Sequence, residues 1–513
     1  LMIKIWLPLI LLSSEAFAGP PLSAIEWLQT TEPPIVANPV KPAHKIVDID
    51  KPDQMAVQRP LISVSPLSRL SPEAVGLLPS YVTGFPGDLW VNSPPDLLAR
   101  LIRNLEVGDN PAMQALLLTL LLAETDPPKH VEPGISILLA RVDKLIEIGA
   151  IEPALALVER AGSQDPALFS RGFDLALLAD KTDPACRDVL TKPTLEPDYT
   201  IRIFCHVRNG DWALASFMLE NAIALGEIEP RTGLLLDLFL NPDLAESTLP
   251  PVPSIEPSPL EFRLFEAIGS PLQTASLPVS FAIADLSGNS GWKAQLEAAE
   301  RLVKSGALSE NQLLGIYTAR LPAASGGVWD RVAGLQRFDQ ALIAGTPREV
   351  EATLAEIWPQ MTRAGLAVGF ARMFGRILME QPSSQTADRL RFDIQMLAPI
   401  YQTAAQFRPL RDDEDRFLTA LAQGTLAQHR PFNDTSTAVL RGFTAQPIPS
   451  RLRTLLDQRR LGEVILRSIA AFSDGAAGDS QQLSESLATL QEVGLNTTAQ
   501  SAALQLLILK RRQ

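Results

Sequence analysis

The chain has 513 residues, 46% of them hydrophobic and 20% charged, with a net charge of −13 and an isoelectric point near 5.0. That balance belongs to a globular chain of roughly two to four domains. It argues against nucleic acid as a partner, because a phosphate backbone needs clustered Lys and Arg.

At the N-terminus Lys4 precedes the apolar run Ile5 to Leu12, and Ala16-Phe17-Ala18 sets small residues ahead of Gly19-Pro20. This is the order of a cleavable secretory signal over residues 1–18, cut between Ala18 and Gly19. A periplasmic mature chain is expected. Residues 19–95 hold 14 of the 42 prolines. Each fixes φ and removes a backbone donor, so an extended, proline-rich segment is predicted there. Tyr81, Phe85 and Trp90 concentrate near its end. They are expected to pack onto the first helices or to meet a partner.

From residue 96 the pattern turns helical. Leu97, Leu98, Leu101, Ile102 and Leu105 mark one apolar face. Further helices are predicted at 136–148, 153–161 and 211–225, the last with Asp211 as N-cap and Trp212, Ala215, Leu219, Ala222 and Ile223 on its inner side. The run Ala112 to Ala123 reads as a buried core helix, being too short for the ~20 residues that cross a bilayer. No transmembrane anchor is expected beyond the signal. The two cysteines, Cys186 and Cys205, are expected to form a disulfide in an oxidising compartment, with two separate buried thiols as the alternative. Residues 244–260 form a proline-rich linker between a first helical block (96–243) and a second (261–513). In the second block, helices are predicted at 293–305, 348–363, 385–398, 413–428, 480–493 and 498–510.

Gly149, Gly226, Gly306 and Gly494 each follow an amphipathic run and precede an apolar residue by one or two positions. That is the pattern of a left-handed C′ glycine. Repeated helix–Gly–helix order predicts an all-α fold, an α-solenoid-like stack of helical hairpins with degenerate repeats. An ordinary all-α domain is the alternative.

No chemistry stands out, and no catalytic, cofactor or metal residues are assigned. The four histidines, His44, His130, His206 and His429, lack metal-ligand spacing. No phosphate-binding glycine motif occurs, and Gly288-Asn289-Ser290-Gly291 reads as a turn. Asp412-Asp413-Glu414-Asp415 suits the solvated first turn of a helix, where the dipole favours negative charge. Glu485-Ser486 is similar to the catalytic pair of lytic transglycosylases but lacks the glycine that follows it there.

The stretches Arg202 to Ala215, Leu461 to Arg467 and Leu506 to Arg512 resemble uncharacterised exported helical-repeat proteins of alphaproteobacteria. The architecture is similar to tetratricopeptide-type solenoids, without their full W-x-x-L-G-x-x-Y pattern. What the resemblance implies is a non-enzymatic periplasmic scaffold or adaptor that binds an envelope protein. A role beside the flagellar motor is its most specific form. The alternatives are a cell-wall enzyme with an unrecognised site and a carrier of a hydrophobic ligand.

Overall fold

The computed structural model describes residues 71–129, 136–162, 165–195, 198–287, 290–381, 388–406, 412–444 and 446–510. The signal segment with Ala18 and Gly19, and the proline-rich run as far as residue 70, lie outside the described residues. So do His44, His130 and the turn residues Gly288 and Asn289. Among the described residues there is no strand, only one isolated bridge between Leu78 and Ala123.

The helices fall into three runs. The first holds α1 (Ser80–Thr83), α2 (Pro95–Arg103), α3 (Pro111–Leu122), α4 (Ile137–Glu147) and α5 (Ile151–Ala161). The second holds α6 (Pro166–Leu178), α7 (Thr182–Thr191), α8 (Tyr199–Arg208), α9 (Trp212–Ala224), α10 (Pro230–Leu240), α11 (Pro242–Ser247) and α12 (Pro259–Ala267). The third begins with α13 (Ala282–Asp285), α14 (Trp292–Lys304), α15 (Glu310–Thr318), α16 (Val328–Ala344), α17 (Pro347–Arg363), α18 (Ala367–Glu380) and α19 (Asp388–Leu397). It ends with α20 (Tyr401–Ala404), α21 (Asp413–Gln423), α22 (Asp434–Thr444), α23 (Ser450–Asp457), α24 (Leu461–Ala477), α25 (Ser480–Glu492) and α26 (Asn496–Lys510).

The local causes are plain in the sequence. Proline opens α2, α3, α6, α10, α11, α12 and α17, where its missing N–H costs nothing and its φ is already helical. Asn110, Ser136, Asp165, Ser258, Ser309 and Asp479 cap helix starts through their side chains. The expected glycine ends are present. Gly149 takes φ +82°, and the next amide, Ala150, reaches back to the Leu145 carbonyl at 2.8 Å. Glu227, Ala307 and Leu495 make the same return bond after Gly226, Gly306 and Gly494.

Consecutive helices pair as hairpins (α8 with α9, α16 with α17, α18 with α19, α24 with α25), so the chain is an α-solenoid-like stack. Unlike an open solenoid, it returns on itself. α26 packs against α3, and α24 packs against α2 and α3. Asn110 Nδ2 donates to the Ala502 carbonyl at 3.1 Å, and the Ala112 amide donates to Gln505 Oε1 at 2.9 Å. The last helix thereby satisfies the first turn of α3.

Residues 71–94 differ from the extended tether expected of them. They form a clasp laid on the closure. The Glu73 carboxylate accepts from Ser136 Oγ at 2.6 Å and from the Leu138 amide at 3.0 Å, at the start of α4. The buried Arg141 donates to the carbonyls of Leu121, Val75 and Ala123 at 2.7, 2.8 and 3.0 Å. Phe85, Leu89 and Trp90 are buried in the main core. The Trp90 ring lies directly on Gly462, where a Cβ would overlap it, and the Gly462 amide donates to the Leu89 carbonyl at 3.1 Å. The prolines only punctuate this segment, because its apolar side chains have a core to enter.

Among the described residues, two apolar clusters hold the fold. The main one runs from Phe85 to Ile508, and the second is confined to Phe169 through Phe265. α6 serves both. Leu168, Leu175 and Leu178 enter the main core, whereas Phe169, Phe173 and Leu177 enter the second. α12 does likewise, with Phe262 on one side and Leu260, Leu264 and Phe265 on the other. The helices α6 to α12 therefore make a lobe carried on the main stack. The proline-rich stretch 249–259 lies within that lobe's span rather than between the clusters.

Candidate interaction surface

The lobe is built around two crossed ties. Cys186 on α7 and Cys205 on α8 form a disulfide with Cα atoms 4.9 Å apart, both buried in the second cluster. Phe204 on α8 stacks on Phe239 of α10 at 5.5 Å between ring centroids. α9 then packs across α8 and α10.

α9 carries large apolar residues on both sides, with only Ser216, Glu220 and Asn221 polar, but has only one side to bury. Ala215, Leu219 and Ala222 face the lobe core. Trp212 and Ile223, assigned by periodicity to that inner face, are instead about half exposed, at 47% and 46%. Ile223 leans on Gly233 of α10. Leu214, Phe217 and Leu225 follow one another at helical spacing on the outer side, with Phe217 62% and Leu225 71% exposed. This apolar strip is the surface that periodicity alone missed. The available signal was a helix without a polar face beside neighbours that cover one side only. Glu220, Glu227 and Glu229 border it as exposed acids.

Asp211 does not cap α9 through its side chain. Its carboxylate accepts from Asn209 Nδ2 at 2.8 Å and lies 3.5 Å from His206 Nδ1. The Asn209 amide and then His206 hold its pKa below the ordinary aspartate value. Of the three aromatics considered for partner binding, Phe85 and Trp90 are core residues, and only Tyr81 is exposed, at 87%. Phe85 and Trp90 are therefore not at the surface.

Elsewhere the polar clusters serve the fold. Asp412 caps α21 by accepting from the Asp415 amide at 2.8 Å, and Arg389 bridges Asp412 and Glu414 at 2.9 Å each. Asp415 is buried, so that turn is not wholly solvated. Ser486 Oγ donates to the Ser468 carbonyl at 2.7 Å, and Glu485 pairs with Arg451 at 3.2 Å. Half-buried Arg331 joins the buried Tyr317 and Glu300, and burial and then the Glu300 charge raise the Tyr317 pKa. An open cleft of about 350 Å³ between α3, α4 and α14 includes Lys144 and Arg301. Both spend donors on carbonyls, Lys144 on Leu105 and Arg301 on Thr274 and Leu277. Among the described residues no three His, Cys, Asp or Glu side chains gather as metal ligands, and no helix is long and apolar enough to cross a membrane.

What the fold and surface define is a helical-stack protein whose most exposed apolar helix is carried on a disulfide-tied lobe. No protein-family model matches the sequence, and neither a curated protein nor a solved structure shows significant similarity to it.

Proposed function

We propose that the protein is a non-enzymatic scaffold or adaptor of the periplasm, which holds an envelope protein against α9. The exposed strip Leu214, Phe217 and Leu225 carries this reading. Large aromatic and aliphatic side chains left in water on one helix mark protein interfaces. The acidic border and the lack of Lys or Arg along α9 argue against a membrane surface. The signal-like N-terminus supports the compartment, and the resemblance to exported helical-repeat proteins supports the class. A part beside the flagellar motor is the specific form to test first.

A photoreactive side chain replacing Asn221, which lies on the same face, is expected to label one envelope protein in living cells. Phe217→Asp with Leu225→Asp should abolish the label without moving the thermal midpoint, and should impair swimming if the motor version holds. Unchanged labelling in that variant would sink the surface assignment. Release of soluble fragments from peptidoglycan by the purified chain would sink the non-enzymatic reading.

A further inference from the structure

We propose that Leu249 to Ile255 is a preformed polyproline-II ligand, displayed by the lobe for an aromatic-lined, basic-rimmed groove on a partner protein. The proposal rests on the adaptor reading above and names a second, chemically different contact.

Prolines occupy 250, 251, 253, 257 and 259. Each fixes its own φ, and each also pushes the residue before it toward extended backbone. Within 249–258 only Ser254 and Ile255 escape both restrictions. The flanking residues agree, with Thr248 at φ −119°, ψ 131° and Ser258 at φ −69°, ψ 160°. A polyproline-II helix has three residues per turn, so positions three apart share an edge. Burial follows that period. Thr248, Pro251 and Ser254 are half-buried along the lobe, as is Pro250 beside them, while Pro253 is exposed. Leu249 and Val252 point outward, 89% and 81% exposed, and Ile255, at the bend that ends the run, is 99% exposed.

The lobe holds this shape through side chains. Arg231 Nε donates to the Val252 carbonyl at 2.8 Å, the Ser254 amide donates to Glu261 Oε1 at 2.8 Å, and Arg231 pairs with Glu261. Ordering is therefore complete before any partner arrives, which lowers the entropic cost of docking. Strand addition is ruled out, since Pro250, Pro251 and Pro253 have no N–H to offer and the Val252 carbonyl is already taken. What remains is recognition of the outward side chains by a groove of stacked aromatic rings, the usual receptor for this backbone. Charge fixes the rim. Between Arg231 and Arg263 there is no Lys or Arg, whereas Asp237, Asp243, Glu246 and Glu256 are acidic, Glu261 being neutralised by Arg231. A second copy would meet like charge there, and an anionic bilayer would repel it.

The test uses the full chain in its own cells, with Val252 replaced by benzoylphenylalanine. The expected adduct joins one envelope protein at a peptide containing Trp or Tyr, with Lys or Arg nearby. Replacing Pro250, Pro251 and Pro253 with Ala keeps Leu249 and Ile255 in place but removes the preorganisation, and should cut adduct yield about tenfold. An adduct to a second copy, to lipid or to a peptide without aromatics would overturn the proposal. So would an undiminished yield in the alanine variant, or no adduct at 252. Labelling from Asn221 without labelling from Val252 overturns this proposal alone, whereas loss of both removes the adaptor reading as well.

Discussion

Arg141 shows how a single side chain can join three parts of a chain. Its guanidinium is fully buried, and that burial pulls its pKa down to about 10, opposed by the Glu73 charge. It stays charged at neutral pH and fills the carbonyls of Leu121, Ala123 and Val75. Arg141→Met keeps the stem but leaves three buried acceptors without donors, and should cost about 3–5 kcal/mol. Chemical denaturation measures this, and a loss under about 1 kcal/mol would refute the clasp's importance. Glu261 gives a pH-dependent counterpart. Partial burial opposes its ionisation, but the Ser254 amide and Arg231 outweigh that and hold its pKa below the usual 4.5. A carboxyl depressed on folding contributes stability above its unfolded pKa and loses it as pH falls through the folded value. Protection of the Ser254 amide against exchange should therefore fall as pH drops below the ordinary glutamate value, ahead of protection in α24 and α25. Neither role was legible in the sequence. Arg141 sits in an amphipathic run where arginine ordinarily reads as a solvated position, and only the fold brings Glu261 beside Ser254.

At the scale of helices, much was legible. The segments predicted at 136–148, 348–363 and 480–493 appear as α4, α17 and α25, because their stripes have a period of 3.6 and their ends carry caps. α6 and α24 were not named. α6 buries both of its sides, so its apolar residues give no single stripe. The outer face of α9 was hidden differently, because apolar residues lie on both of its sides although only one is buried. The disulfide joins residues 19 apart in sequence, a closure worth about 3 kcal/mol on the chain-entropy model. Replacing both Cys186 and Cys205 with Ser should therefore loosen α6 to α12 by about that amount. Hydrogen exchange should quicken across 166–267 while α14 to α26 keep their protection. An equal change over the whole chain would show that lobe and stack unfold as one unit.

At the scale of the molecule, the hairpin stack was foreseen and its closure was not. Local periodicity carries no information about a contact between Asn110 and Ala502, which are 392 residues apart. Nor did the proline-rich break reveal that the helices before and after it share one core. Deleting residues 495–513 removes the cover of α3 along with the Gln505 acceptor. We expect such a chain to bind an apolar dye and to lose its cooperative thermal transition. Retention of a sharp transition near the original midpoint would mean that closure is dispensable.

That closure has a consequence in time. The leucines of α3 are made early, but the helix that shields them follows some 392 residues later. At roughly 5–20 residues per second, translation leaves them waiting on the order of 20–80 s. Throughout that interval a greasy helix has no native neighbour from the far end of the chain. Whatever handles the nascent polypeptide must keep α3 from sticking to strangers until α26 arrives.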